Sequence, residues 1–156
     1  YNWDNYDGDE VEINWNNFPQ EKNLDIRHGG VGTIDTTHNW WGSANPDFDS
    51  LIEGDVDYTP WLSGRYTEGA PVVAASEKEI SPEDNYIDAI DEASTEVAMG
   101  VTPGVSENVT VLKLESNPGG DAPHTPVKFV EVSTDISNDN IEDVEITIHY
   151  TDSEIA

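Results

Sequence analysis

The stretch that most restricts how this chain can fold is Thr37-His38-Asn39-Trp40-Trp41-Gly42, with Asp57-Tyr58-Thr59-Pro60-Trp61-Leu62 a short distance beyond it. Each indole needs a large apolar surface to cover it and a partner for its N–H. Here the paired tryptophans follow a polar run, Asp35-Thr36-Thr37-His38-Asn39, and precede a glycine. That order predicts a strand turning a corner, with the rings closing the end of a stack.

The charge of the chain decides which functions remain open. There are 33 acidic residues against 6 basic ones, a formal net charge of −27. Nucleic acid is not an expected partner, because phosphate binding needs clustered Lys and Arg. An anionic membrane surface is not an expected partner either, on the same ground. Low hydrophobicity with high charge can mean disorder. It can also mean a folded protein of salty surroundings, with a dense carboxylate surface and salt to screen its self-repulsion. Five Trp, six Tyr and three Phe favour the folded, halophilic reading. No cysteine is present, which removes disulfides, thiolate metal sites and a cysteine nucleophile. The sequence contains no secretory signal and no apolar run of membrane-spanning length. It begins without Met, so it is expected to be a portion of a longer chain.

Three regions are legible: residues 1–63, rich in Asn, Asp, Gly and Trp; a linker-like stretch, 64–93; and a strand-rich stretch, 94–156. In the first, Asn14-Trp15 and Asn39-Trp40 suggest a repeat in the low-to-mid twenties, the length of one coil of a stacked β architecture. Asn suits coil corners because it tolerates left-handed backbone. Val11, Ile13, Leu24, Ile26, Val31 and Ile34 are the expected interior. His28-Gly29-Gly30-Val31-Gly32 is a turn cluster and not a phosphate loop, since no Lys-Ser/Thr and no helix follow. In the middle region, Ser81-Pro82-Glu83-Asp84 has the chemistry of a helix start, and Tyr86, Ile87 and Ile90 follow at helical spacing. A strand through the same residues is the alternative. In the third region, Val97, Met99 and Val101, then residues 109–114 and 127–132, predict strands. Val144, Ile146, Ile148 and Tyr150 alternate with Glu145, Thr147 and His149, the period-two pattern of a strand with one buried face. Several short strands at this spacing predict a β-sandwich. The fold class expected is all-β: a terminal coil stack, a linker with a short helix, and a sandwich-like module.

Two resemblances sharpen this. Asn39-Trp40-Trp41-Gly42, followed by Gly54, Val56, Tyr58, Pro60, Trp61 and Leu62, resembles the last coil of secreted right-handed parallel β-helix proteins. The third region is similar to the PGF-pre-PGF domain of archaeal surface proteins, through Val109 to Val111, Pro126 to Val132 and Ile141 to Tyr150. The second resemblance covers about sixty residues. It implies a sandwich module between a secreted passenger and a cell-surface sorting segment, hence an extracellular or cell-surface location. The family's domain continues with further strands, so this module is expected to be incomplete at Ala156.

The candidate sites follow. Asp4, Asp7 and Asp9, with Asn5 and Glu10, form the densest oxygen cluster and could serve calcium, which takes six to eight oxygen ligands. Their spacing is not that of an EF-hand, and a solvated acidic turn is the alternative. Asp47, Asp49, Asp55 and Asp57 form a second such cluster. His28 and His38 lack any His-x-x-x-His companion. Arg27 with Asp25 and Asp35 could mimic the base and acidic groups of a polysaccharide lyase; a salt bridge on the coil face is the simpler role. Trp3, Tyr6 and Trp15 are the candidate sugar-stacking rings. Asn108-Val109-Thr110 is a glycosylation sequon. Three functions are thereby left: a structural or adhesive surface module, a carbohydrate-binding passenger, and the end of a polysaccharide-cleaving enzyme. A non-catalytic module fits best, without a required cofactor. Its expected partners are polysaccharide, neighbouring surface proteins, or another copy of the chain joined by strand addition.

Overall fold

The structure is a computed structural model that describes residues 11–18, 26–66, 68–116 and 128–154. The fold is all-β, and the chain divides into two compact units, Tyr1–Val73 and Ala74–Ala156.

Unit 1 is assembled from short parallel pairings. β1 (Ile26–Arg27) pairs with β3 (Ile52–Glu53), and β2 (Ile34–Asp35) pairs with β4 (Val56–Asp57). Isolated parallel bridges join Glu12 to Asp35 and Asn17 to Trp40. A single helical turn, α1 (Phe48–Leu51), lies between β2 and β3, and β5 (Trp61–Leu62) follows β4. Backbone hydrogen bonds join three successive levels. Asp35 N–H donates to Val11 and Trp40 N–H to Asn16 from the middle level; Thr36 N–H donates to Asp57, and Leu62 N–H donates back to Asn39. Both bridges align residues 23 apart, so Trp15 lies level with His38, not with Trp40. The repeat in the sequence is therefore real in length but shifted by two residues, because hydrogen-bond register, not the shared Asn-Trp pair, sets the alignment.

The interior of unit 1 is partly polar. Ile26 and Ile34 are buried as expected, and Thr36 and Asn39 are fully buried beside them. Val31 is a correction: it is 88% exposed, lying in the glycine turn rather than inside. Leu24 lies outside the described residues. Gly54 explains one glycine of the motif. Its φ is +103°, and a Cβ there would sit 1.9 Å from the His28 carbonyl oxygen, so only glycine lets the levels approach at this point.

β6 (Pro71–Ile80) begins in unit 1, where it pairs antiparallel with β5 through Trp61↔Val72 and Leu62↔Pro71, and continues into unit 2. There the strand order continues through β9 (Glu107–Leu114) to β10 (Phe129–Thr134). A second, three-stranded antiparallel sheet has the order β11 (Ile141–Ile148), β8 (Thr95–Val101), β7 (Tyr86–Ala89). Ile80, Ile87, Val97, Met99, Val109 and Val111 come from both sheets and share one apolar cluster, which makes the unit sandwich-like.

Two expectations for unit 2 are corrected. Residues 86–89 form a strand, because Ile87 and Ala89 are buried while Tyr86 and Asp88 are exposed, a period of two. Of the helix expected there, one turn forms, α2 (Ile90–Ala93), which Ser94 ends with φ +51°. The segment 71–80, within the expected linker, is likewise a strand. Second, β11 is a strand as its pattern predicts, but its apolar face is not buried. Val144, Ile146, Ile148 and Tyr150 are 46, 47, 39 and 48% exposed. The alternation is satisfied locally, but among the described residues β11 is the edge strand of its sheet, and its side chains are covered less than those of β8.

Candidate functional site

Unit 1 carries two groups of rings with opposite character. The first is buried. Trp41 and Trp61 are 4 and 6% exposed, and both meet Phe48 edge-on, at 5.8 and 5.2 Å between centroids. Phe18 tilts against Trp41 at 4.8 Å, and Tyr58 stacks on Phe48 at 4.0 Å. Trp61 Nε1 donates to the Ala44 carbonyl at 2.8 Å. Trp40 is only partly buried. Phe48, which the tryptophan motif does not announce, is the ring around which the cluster is arranged. Beside it, the buried Asn39 side chain ties the levels together. Its Oδ1 accepts from Asn16 N–H at 2.7 Å, and its Nδ2 donates to the carbonyls of Thr36 and Ile13.

The second group is exposed. Trp15 (49% exposed) stacks on His38 with centroids 4.5 Å apart and meets Tyr66 (47% exposed) at 5.7 Å. Trp15 and His38 both have left-handed backbone, φ +61° and +57°, so equivalent corners on adjacent levels present their rings in register. Tyr66 is brought there by its own N–H, which donates to Asn17 Oδ1 at 2.7 Å. Of the three predicted sugar-stacking residues, Trp15 therefore lies at a surface of rings; Trp3 and Tyr6 lie outside the described residues. Tyr66 and His38 are its actual neighbours. Neither had a signal in the sequence: the shared Asn-Trp pairs set Trp15 level with Trp40, and only the hydrogen-bond register puts it level with His38.

The other candidates take structural roles or fall outside view. Asp4, Asp7 and Asp9 lie outside the described residues. Among the described residues no group of three or more His, Cys, Asp or Glu is placed to hold a metal ion. Asp55 accepts from the Thr33 hydroxyl, which joins segments 22 residues apart, and Asp57 accepts from Thr59 N–H within its own turn. Arg27 pairs with Glu53 across β1 and β3 at 3.6 Å. Burial pulls the Asp35 carboxyl upward, but hydrogen bonds from Thr37 and Asn14 and the charge of His38 hold it below the usual range. His28 is buried, with Nε2 bonded to the Gly32 carbonyl at 2.9 Å. Asn108 is exposed on β9, and both polar residues of its sequon reach Glu77, Asn108 Nδ2 at 3.0 Å and Thr110 Oγ1 at 3.1 Å.

In unit 2 the notable surface is β11. Its register sets Val144, Ile146 and Ile148 opposite Met99, Val97 and Thr95, which are buried. Directly opposed residues point to one face, so the exposed apolar stripe continues the core-facing side of the sheet. The other face is acidic: Asp143 and Glu145 lie opposite Gly100 and Ala98, and Asp88 lies opposite Glu96. Glu96 receives hydrogen bonds from the Tyr86 hydroxyl and the His149 ring, which hold its carboxyl below the ordinary range. The same bond to Glu96 pushes the Tyr86 phenol up to about 12. Lys128 fixes the end of the strand: it donates to the His149 carbonyl, pairs with Glu154 at 3.2 Å and lies 5.1 Å from the Tyr150 ring.

These features define an all-β protein of two units, with exposed rings on one and an uncovered strand face on the other. No known protein family, curated protein or solved structure matches the chain.

Proposed function

We propose that this chain is a non-catalytic extracellular or cell-surface module with a structural or adhesive role, of the halophilic archaeal type. In this reading unit 1 is the end of a right-handed parallel β-helix and unit 2 is a sandwich module of the PGF-pre-PGF kind. The parallel pairings between levels and the buried rings beside them support the first half.

The observation that carries the function is the exposed apolar face of β11. A regular edge with such a face is a site for another chain. The test is retention on cell-envelope fractions of the source organism, washed at molar KCl. The parent should be retained and an Ile146→Lys variant lost; equal retention or equal loss of the two would overturn the adhesive role.

The exposed group of Trp15, His38 and Tyr66 favours a second reading, a carbohydrate-binding passenger, since an aromatic face suits the apolar face of a sugar ring. Binding of the parent to polysaccharides, lost in Trp15→Ala, would support it. Turnover of an acidic polysaccharide by the chain would instead favour the enzymatic alternative.

A further inference from the structure

We infer that the β11 edge accepts an extended segment of another protein in which apolar residues alternate with Lys or Arg. The inference rests on the adhesive reading above and names the chemistry of the partner.

Hydrogen-bond direction comes first. His149 N–H donates to Ser94, so this residue turns its backbone toward β8. In an antiparallel ladder, backbone groups alternate between the two sides of a strand. Residues 147, 145 and 143 therefore also turn toward β8, while Val144, Ile146 and Ile148 present N–H and C=O to the open side. Among the described residues β11 is the terminal strand of its sheet, so these groups face an edge that no described strand fills.

Side-chain chemistry then selects that strand. Partner residues opposite Val144, Ile146 and Ile148 would lie on the face where these side chains are exposed, and apolar residues would extend the stripe. Partner residues opposite Asp143 and Glu145 would lie on the other face, where Glu96 and Asp88 follow on the neighbouring strands. Cations suit those positions, since opposite charges across a sheet stabilise and like charges destabilise. Lys128 is already engaged by Glu154 and Tyr150.

A second copy of β11 fits poorly. Residues 129–156 contain no Lys or Arg, and each chain carries a net charge of −27. Pairing two copies edge to edge would bring Asp143 and Glu145 of each near an acidic strand with no Lys or Arg to answer them, His149 being held by Glu96.

The test uses the whole chain and a blocked peptide, Thr-Val-Lys-Val-Lys-Val-Thr, in a fluorescence anisotropy titration. One control peptide has the same composition with its lysines adjacent; another replaces Lys by Glu. The alternating peptide should bind at least about tenfold more tightly than either control. Ile146→Lys should weaken it by a similar factor. Ile146→Pro removes an outward N–H without touching the ladder to β8 and should also weaken it; the melting curves of both variants establish that they remain folded. Equal binding of the two lysine peptides would reduce the effect to general electrostatics and overturn the inference. A parent that instead dimerises through β11 and excludes the peptide would overturn it in favour of a second copy. Envelope retention without selective peptide binding would sink this inference and leave the adhesive reading standing; peptide binding without retention would do the reverse.

Discussion

The two units solve the same problem, covering apolar surface in a very acidic chain, with different chemistry. Unit 1 uses short parallel pairings, fully buried Asn39 and Thr36, and a cluster of rings around Phe48. Unit 2 uses strands of four to ten residues and an aliphatic core supplied by two sheets. Strands two residues long supply few ladder bonds, so side-chain hydrogen bonds and ring contacts must join the levels in unit 1. Longer strands in unit 2 make their own ladders, and their alternating Val and Ile residues need only an opposite sheet. Where that opposite sheet gives out, at β11, the apolar residues stay exposed.

The ring cluster of unit 1 depends most on Trp41. All five tryptophans lie in unit 1, so their fluorescence reports that unit alone. Trp41→Ala removes a buried ring that contacts Phe18 and Phe48, and truncations of this kind cost about 3–5 kcal/mol. The fluorescence transition should move to much lower urea, while amide exchange in β8 and β9 stays protected. A parent-like fluorescence transition would show that the rings do not hold unit 1 together.

Asn39→Ala should come next. It leaves Asn16 N–H and the Ile13 and Thr36 carbonyls without their side-chain partner, a loss of about 1–3 kcal/mol for an unsatisfied buried group. The fluorescence midpoint should fall by less than in Trp41→Ala. If the alanine variant is as stable as the parent, the polar interior of unit 1 is incidental.

Salt should sharpen the contrast from the other side. Unit 2 carries 19 acidic residues against 3 basic ones, and unit 1 carries 14 against 3. Screening of self-repulsion should therefore raise melting temperature for both, more for unit 2. Differential scanning from low to molar KCl checks this; a flat or falling melting temperature would remove the halophilic reading.

The smallest effect expected is at the exposed Tyr86–Glu96–His149 network of unit 2. Glu96 has a lowered carboxyl pKa, so its contribution is present above the ordinary value of 4.5 and is lost as pH falls through the folded value. Tyr86 has a raised pKa, so its contribution is present below 10 and lost as pH rises through about 12. The small stability difference between parent and Glu96→Gln should close in acid, and that between parent and Tyr86→Phe should close in strong alkali. Differences that do not vary with pH would assign these residues to packing alone.

Much of this was written in the chain. Alternation at 97–101 and 144–150, and the run at 109–114, identified strands, because a strand's period is local and needs no partner to be seen. The tryptophan motif identified buried rings at 41 and 61, since indoles of that size demand cover. Tertiary structure decided the rest. It placed Phe48 between those rings, moved the unit 1 register by two residues, and turned residues 86–89 from helix to strand, because burial at Ile87 and Ala89 outweighed a helix-starting sequence before them. It also brought Trp15, His38 and Tyr66 together from three separate segments. For β11 the sequence could say that every second residue is apolar, but not whether anything lies over them. Burial belongs to the neighbours a strand acquires, and among the described residues β11 acquires them on one side only.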